Sequence, residues 1–164
     1  MDPLKDYIVN ENNFFKNLGV GQEAQIKKWL DSHGMNNYKI NSDMTIDIKD
    51  VYFNNPNEVD VIPDYIQFRK ITRHCDLSFT RIKKISGMPE YCGKFWCTNC
   101  NELTSLEGCP KRVGDFECQN CKFLKSLKGC PKEVAGLFSC YDCGVEFTYD
   151  DIRKVCDVKG AIMI

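Results

Sequence analysis

The stretch FECQNCKFLKSLKGCPKEV, Phe116–Val134, carries a C-x-x-C pair at Cys118 and Cys121. The same pair stands at Cys97/Cys100 and again at Cys140/Cys143. Paired cysteines at this spacing are a zinc-ligand signature. Free cysteine also packs as a small buried hydrophobe. Deciding between the two decides the fold.

Working outward, the stretch is one copy of a repeat. CDLSFTRIKKISGMPEYCG (Cys75–Gly93), FWCTNCNELTSLEGCPKRVG (Phe95–Gly114) and FECQNCKFLKSLKGCPKEVAG (Phe116–Gly136) superimpose, and FSCYDC opens a truncated copy at Phe138. Ile82, Leu103 and Leu124 are 21 residues apart, as are Ile85, Leu106 and Leu127. Gly87, Gly108 and Gly129 keep the same step, and so do Pro89, Pro110 and Pro131. Each unit follows L-x-x-L-x-L-x-x-N/C-x-L, where L is any apolar residue. Ile71, Cys75, Leu77, Thr80 and Ile82 make one unit, with one extra residue before Cys75. Cys92, Phe95, Cys97, Cys100 and Leu103 make the next; Val113, Phe116, Cys118, Cys121 and Leu124 make the third. Both of these carry an extra residue before the last position. Val134, Phe138, Cys140 and Cys143 begin a fourth. The central L-x-L has period two and predicts a short strand buried on one face. The N/C position turns the chain, and Gly-x-Pro forbids a long helix on the return. A degenerate earlier unit has Val51 and Phe53 as its L-x-L, Val59 and Ile62 behind and Pro56 at the turn. Ile46 and Ile48 predict a leading strand or hairpin arm.

Seventeen residues separate Cys100 from Cys118, within the range of paired zinc knuckles. The repeat points the other way. Leu77 stands where later copies have Cys97 and Cys118, Thr80 stands for Cys100 and Cys121, and Met88 stands for Cys109 and Cys130. A zinc site needs the thiolate itself, whereas a packing site accepts an aliphatic group. The two histidines, His33 and His74, complete no ligand set. Packing is the favoured reading, with no cofactor and no metal; a zinc-stabilised structural or nucleic-acid-associated protein is the alternative.

The length and consensus of the units resemble leucine-rich-repeat solenoids. LTSLEGCPKRVGDFECQN and LKSLKGCPKEVAGLFSC more narrowly resemble the short repeats of leucine-rich-repeat-like proteins of tailed bacteriophages and large viruses. The entry NYKINSDMTIDIKDVYF and the close FTYDDIRKVCDVKGAIMI are similar to the ends of those proteins. The resemblance implies an α+β solenoid of short parallel strands with a helical N-terminal cap over 1–44, repeats over 45–146 and a helix–strand cap over 147–164. It also implies a viral product in the host cytoplasm that binds and modulates a host protein, defence components being candidates; a virion or assembly component is a further alternative.

The ends are readable locally. In GQEAQIKKWLDSHG, Ala24, Ile26, Trp29 and Leu30 share one helical face, and Gly34 ends it. A second, weaker helix is expected before it, with Ile8, Phe14, Phe15 and Leu18 inward. Thr148 and Asp151 form a short capping box, followed by Ile152, Val155 and Cys156 at helical spacing. Val158, Ala161 and Ile162 predict a last strand, with a turn at Lys159-Gly160.

Composition narrows the function. The chain has 164 residues, 43% hydrophobic, with a net charge of −1, and gives no overall attraction to nucleic acid. No apolar run is long enough to span a bilayer. The start lacks a basic, apolar leader, which points to the cytosol, where eleven cysteines stay reduced. Gly19-Val20-Gly21 lacks the third glycine of a phosphate loop, and no acid–base–nucleophile set can be assembled, so a non-enzymatic role is expected. Side chains between the buried strand positions form the expected concave face. Its middle column is Tyr52, Asp76, Trp96, Glu117 and Ser139. One flank is Asn54, Ser78, Thr98, Gln119 and Tyr141; the other is Asp50, His74, Lys94, Asp115 and Leu137. From these, Tyr52, His74, Asp76, Lys94, Trp96, Thr98, Glu117, Gln119 and Tyr141 are the candidate contacts for a protein partner. Trp96 is either an anchor awaiting cover or a residue packed on Lys94 and Thr98.

Overall fold

The computed structural model describes residues 21–164. It is a solenoid-like parallel sheet of about five turns with two short helices. The weaker helix expected around Ile8–Leu18 lies outside the described residues. Within the described residues helix α1 covers 21–32 and buries Ile26, Trp29 and Leu30, while Ala24, expected inward, is exposed. Its end is a Schellman turn. Met35 N–H donates to Leu30 O at 3.0 Å and Gly34 N–H to Asp31 O at 3.1 Å. Gly34 sits at φ 80°, the left-handed value that this turn requires.

The strands are β1 (Lys39–Ile40), β2 (Ile46–Val51), β3 (Phe68–Asp76), β4 (Tyr91–Trp96), β5 (Arg112–Glu117), β6 (Glu133–Val134), β7 (Phe138–Ser139), β8 (Asp157–Val158) and β9 (Ile162–Met163). A single 3₁₀ turn, Pro56–Glu58, follows β2, with Pro56 opening it. Strand β1 pairs antiparallel with β2, so Ile46 and Ile48 lie on one arm of a hairpin, as expected, and the same strand is the first rung of the parallel stack. Every later pairing is parallel. Strands β6 and β7 are two halves of one rung, stacked on the two ends of β5, and β8 and β9 stack on them in the same way.

Two apolar columns run through the stack. One is Ile48, Ile71, Cys92, Val113, Val134 and Val158. The other is Val51, Cys75, Phe95, Phe116, Phe138 and Ile162. Their spacing explains the broken strands. Two residues lie between the columns at Cys92/Phe95 and Val113/Phe116, and there the strand is continuous. Three lie between them at Ile71/Cys75, Val134/Phe138 and Val158/Ile162. The extra residue becomes a register shift in β3 and a gap in the last two rungs.

At the bend between the columns, Gly93, Gly114 and Gly160 sit on the rung before. A Cβ on Gly93 would lie 2.4 Å from Arg73 O, on Gly114 2.3 Å from Gly93 O, and on Gly160 2.4 Å from Gly136 O. Only glycine allows the backbones this close.

Most of the cysteines lie in the core, in columns shared with other residue types. Leu77, Cys97, Cys118 and Cys140 form one buried column, and Phe95 and Phe116 stack beside it with ring centroids 6.1 Å apart. Thr80, Cys100 and Cys121 fill the turn column. Cys100 Sγ donates to Leu77 O at 3.1 Å, Cys121 Sγ to Cys97 O at 3.0 Å and Cys143 Sγ to Cys118 O at 3.3 Å. Thr80 Oγ1 donates to the same carbonyl, Leu77 O, at 2.7 Å. Each turn thiol thus satisfies a backbone acceptor of the preceding rung. All eleven cysteines are free thiols, and burial pushes the Cys75, Cys97 and Cys109 thiols well up and those of Cys92 and Cys140 to about 12.

On the return side, Ile82, Leu103 and Leu124 are buried with Ile85, Leu106 and Leu127. Gly87, Gly108 and Gly129 take positive φ there, before the buried prolines. Helix α2 (Tyr149–Val155) opens with the complete capping box of Thr148 and Asp151. It buries Ile152, while Val155, at the expected helical spacing, is exposed; the expected last strand is two short ones, β8 and β9, with Ala161 between them. Among the described residues no helix is long and apolar enough to cross a membrane.

Candidate binding surface

Alternation along each strand puts the residues between the buried ladders on the sheet's solvent face. The register aligns part of two of the expected columns; Tyr52 and Leu137 lie outside the paired strand residues. Asp50, His74, Lys94 and Asp115 are neighbours on successive rungs, as are Asp76, Trp96, Glu117 and Ser139. Met163 extends the second column by one rung and is half exposed, a member the sequence reading omitted. The third column continues the ladder beyond the strands. Thr98 N–H and Thr98 Oγ1 lie 3.2 Å and 3.1 Å from Ser78 Oγ.

Trp96 is not left uncovered. His74 stacks on it with planes 8° apart and centroids 5.5 Å apart. Lys94 Nζ stands 5.7 Å from its ring centroid. Lys94 is itself held by Asp115 at 3.0 Å. The indole is therefore a fixed part of the surface, with contacts to His74 and Lys94. Tyr52 and Tyr141 are the more open aromatics, at 49% and 37% exposure, and stand at opposite ends of the stack.

The carboxylates divide into two kinds. Asp115 accepts from Leu137 N–H at 2.9 Å and from Lys94, and these two donors hold its carboxyl below the usual carboxylate range. Asp50 faces Arg73 at 3.6 Å. Asp76 accepts from Ser78 N–H at 2.9 Å and Glu117 from Gln119 Nε2 at 3.0 Å. Among the described residues neither Asp76 nor Glu117 has a cationic partner. They stand one rung on either side of Trp96.

Among the described residues five buried polar atoms have no hydrogen-bond partner within the protein: Asp50 Oδ1, which faces Arg73 only at ion-pair distance, His74 Nδ1, Trp96 Nε1, Gln119 Oε1 and Ser139 Oγ. All five belong to this one face. Buried polar atoms elsewhere in proteins are almost always satisfied, so the concentration here sets the face apart.

Two features escaped the sequence. Phe79 is 56% exposed at φ 64°, at the rim of the face. The other copies place Asn99, Asn120 and Asp142 at this left-handed position, residues that tolerate it, so the odd residue in an aligned column was the available signal. A hollow of about 590 Å³ lies away from the sheet face, between α2 and the Lys125–Lys132 loop. Two of its lysines are already paired, Lys128 to Glu107 and Lys154 to Asp151. Among the described residues no group of three or more His, Cys, Asp or Glu side chains could hold a metal ion. No family model, curated protein or solved structure matches the chain.

Proposed function

We propose that the protein is a non-enzymatic protein-binding module. In this reading it is a short leucine-rich-repeat solenoid, closed by the N-terminal helical region and by α2 with the last rung, and its sheet face is the concave surface that takes a protein partner. The observation that carries the reading is the gathering of Trp96, unpaired Asp76 and Glu117, and five unsatisfied buried polar atoms on one face. Ser139, 1% exposed with no partner for its hydroxyl within the protein, is the member of this group most removed from solvent. Supporting the reading are the open aromatics Tyr52 and Tyr141 at the ends of the same surface. The sign of the unpaired charge disfavours nucleic acid.

The resemblance of the repeats to those of phage and large-virus proteins supplies the setting. The module acts in a host cytoplasm, on a host protein whose activity it modulates. The test is affinity capture from candidate host extracts with wild type and the Trp96→Ala/Tyr141→Ala double variant. The proposal expects a partner held by wild type and lost by a variant that melts normally. Equal recovery by both proteins places binding elsewhere.

A further inference from the structure

We infer that the sheet face takes an extended basic segment of its partner, in the polyproline II conformation, with cationic side chains three residues apart seated on Asp76 and Glu117 on either side of Trp96. The inference rests on the reading of this face as the binding surface and specifies what binds there.

Charge is the first reason. Four carboxylates lie on the face, and Asp50 and Asp115 already face Arg73 and Lys94. Asp76 and Glu117 are held only by neutral donors, the Ser78 N–H and the Gln119 amide. Those bonds fix each carboxylate in place and leave its charge uncompensated. A fixed, uncompensated carboxylate beside an indole is a seat for a guanidinium or ammonium group.

Spacing is the second. Asp76 and Glu117 are separated by two rungs, about 9.6 Å at ordinary strand spacing. A polyproline II chain advances about 9.3 Å in three residues and returns to the same face. A strand advances about 10 Å in three residues but presents the third on the opposite face. Basic residues at i and i+3 therefore meet both carboxylates only in the polyproline II form. That form also loses little conformational freedom on docking.

The unsatisfied atoms are the third. Ser139 is 1% exposed, and its hydroxyl, beside Glu117, has no partner. Trp96 Nε1 is a donor without an acceptor, and Gln119 Oε1 is an acceptor without a donor. A polypeptide lying across the rungs offers both, a backbone carbonyl for the indole and N–H groups of the main chain or of the basic side chains for the amide. A simple cation satisfies only the acceptors.

The experiment is calorimetric titration, at about 50 mM salt, of a nine-residue peptide of three Arg-Pro-Pro units. Its isomer with the three arginines adjacent is titrated alongside, with a Glu-Pro-Pro peptide and a single-stranded oligonucleotide. The regularly spaced peptide is expected to bind about tenfold more tightly than its isomer, to weaken as salt rises, and to shift the Trp96 indole N–H resonance rather than that of Trp29. The Asp76→Asn/Glu117→Gln variant keeps the neutral hydrogen bonds. It is expected to melt as wild type does and to lose about tenfold or more in affinity. Equal affinity for the two isomers, unchanged binding by the variant, no binding, or preference for the acidic peptide or the oligonucleotide overturns the inference. If it falls while capture still depends on Trp96 and Tyr141, the surface stands and only the occupant is changed. If capture is also independent of those residues, the surface reading falls with it.

Discussion

Replacing cysteine by serine at two neighbouring columns separates a packed core from a metal site. Cys97 is fully buried between Leu77 and Cys118, and its thiol has no acceptor. A serine there brings a hydroxyl into apolar surroundings without a partner, at about 2 kcal/mol. Cys121 is equally buried, but its thiol already donates to Cys97 O at 3.0 Å. A serine hydroxyl can take over that acceptor, and Thr80 in the same column shows that a hydroxyl is accommodated there, donating to Leu77 O of its own rung at 2.7 Å. Cys121→Ser is therefore expected to lose less than about 1 kcal/mol. For a domain of this size about 2 kcal/mol lowers the melting temperature by roughly 4–8 °C. Thermal and urea unfolding followed by circular dichroism, under reducing conditions, reads both variants against wild type. Cys97→Ser should melt roughly 4–8 °C lower and Cys121→Ser less than roughly 2–4 °C lower. If both collapse to the same extent, the two thiols act alike, as zinc ligands would, and the packing account is refuted.

Three further outcomes follow from particular contacts. Gly114→Ala drives a methyl to 2.3 Å from Gly93 O, so the rungs must part; a loss of roughly 2–3 kcal/mol in urea unfolding is expected, and wild-type stability would contradict the close stacking. Phe79→Asn relieves a phenylalanine at φ 64° that is more than half exposed; stability should hold or rise by up to about 1 kcal/mol, whereas a clear fall would show that Phe79 is packed. Stability should also decline in alkali. The Cys92 and Cys140 thiols ionise near 12 in the fold against an ordinary value of 9.0. The unfolded chain therefore sheds protons first as pH rises. The unfolding free energy should be level below about pH 8 and fall between about pH 9 and 12; a level profile to pH 11 would contradict the burial of these thiols.

The repeat was legible because its columns are apolar and evenly spaced. Phe95/Phe116, Leu103/Leu124 and Leu106/Leu127 declare their register without any tertiary information, and Leu77 in the Cys97 column reveals what kind of site it is. The capping box at Thr148 and the turn at Gly34 were legible because they are local hydrogen-bond devices. Contacts between rungs were not legible. The glycines at 93, 114, 136 and 160 recur at intervals of 21, 22 and 24, and nothing in one sequence says that a carbonyl lies against them. The split of the last two rungs follows from one extra residue between Val134 and Phe138 and one between Val158 and Ile162, whose effect depends on the neighbouring strand.

The surface was half legible. Its columns follow from alternation, so Asp76, Trp96 and Glu117 could be aligned in advance. The cover on Trp96 comes from His74, on the preceding rung in the adjacent column, and periodicity does not reveal that diagonal contact. Likewise, the pairing of Lys94 with Asp115, which leaves Asp76 and Glu117 as the unpaired carboxylates, depends on side-chain reach between rungs. Ala24 and Val155 share helical spacing with buried residues, but each lies at the margin of its helix's buried face.

Metal content, measured together with chelator response, tests the packed-thiol core most directly. Protein purified without chelator should carry well under about 0.1 zinc per chain, and its melting curve should be unchanged by excess EDTA. About one or more zinc per chain, with unfolding on chelation, would contradict it.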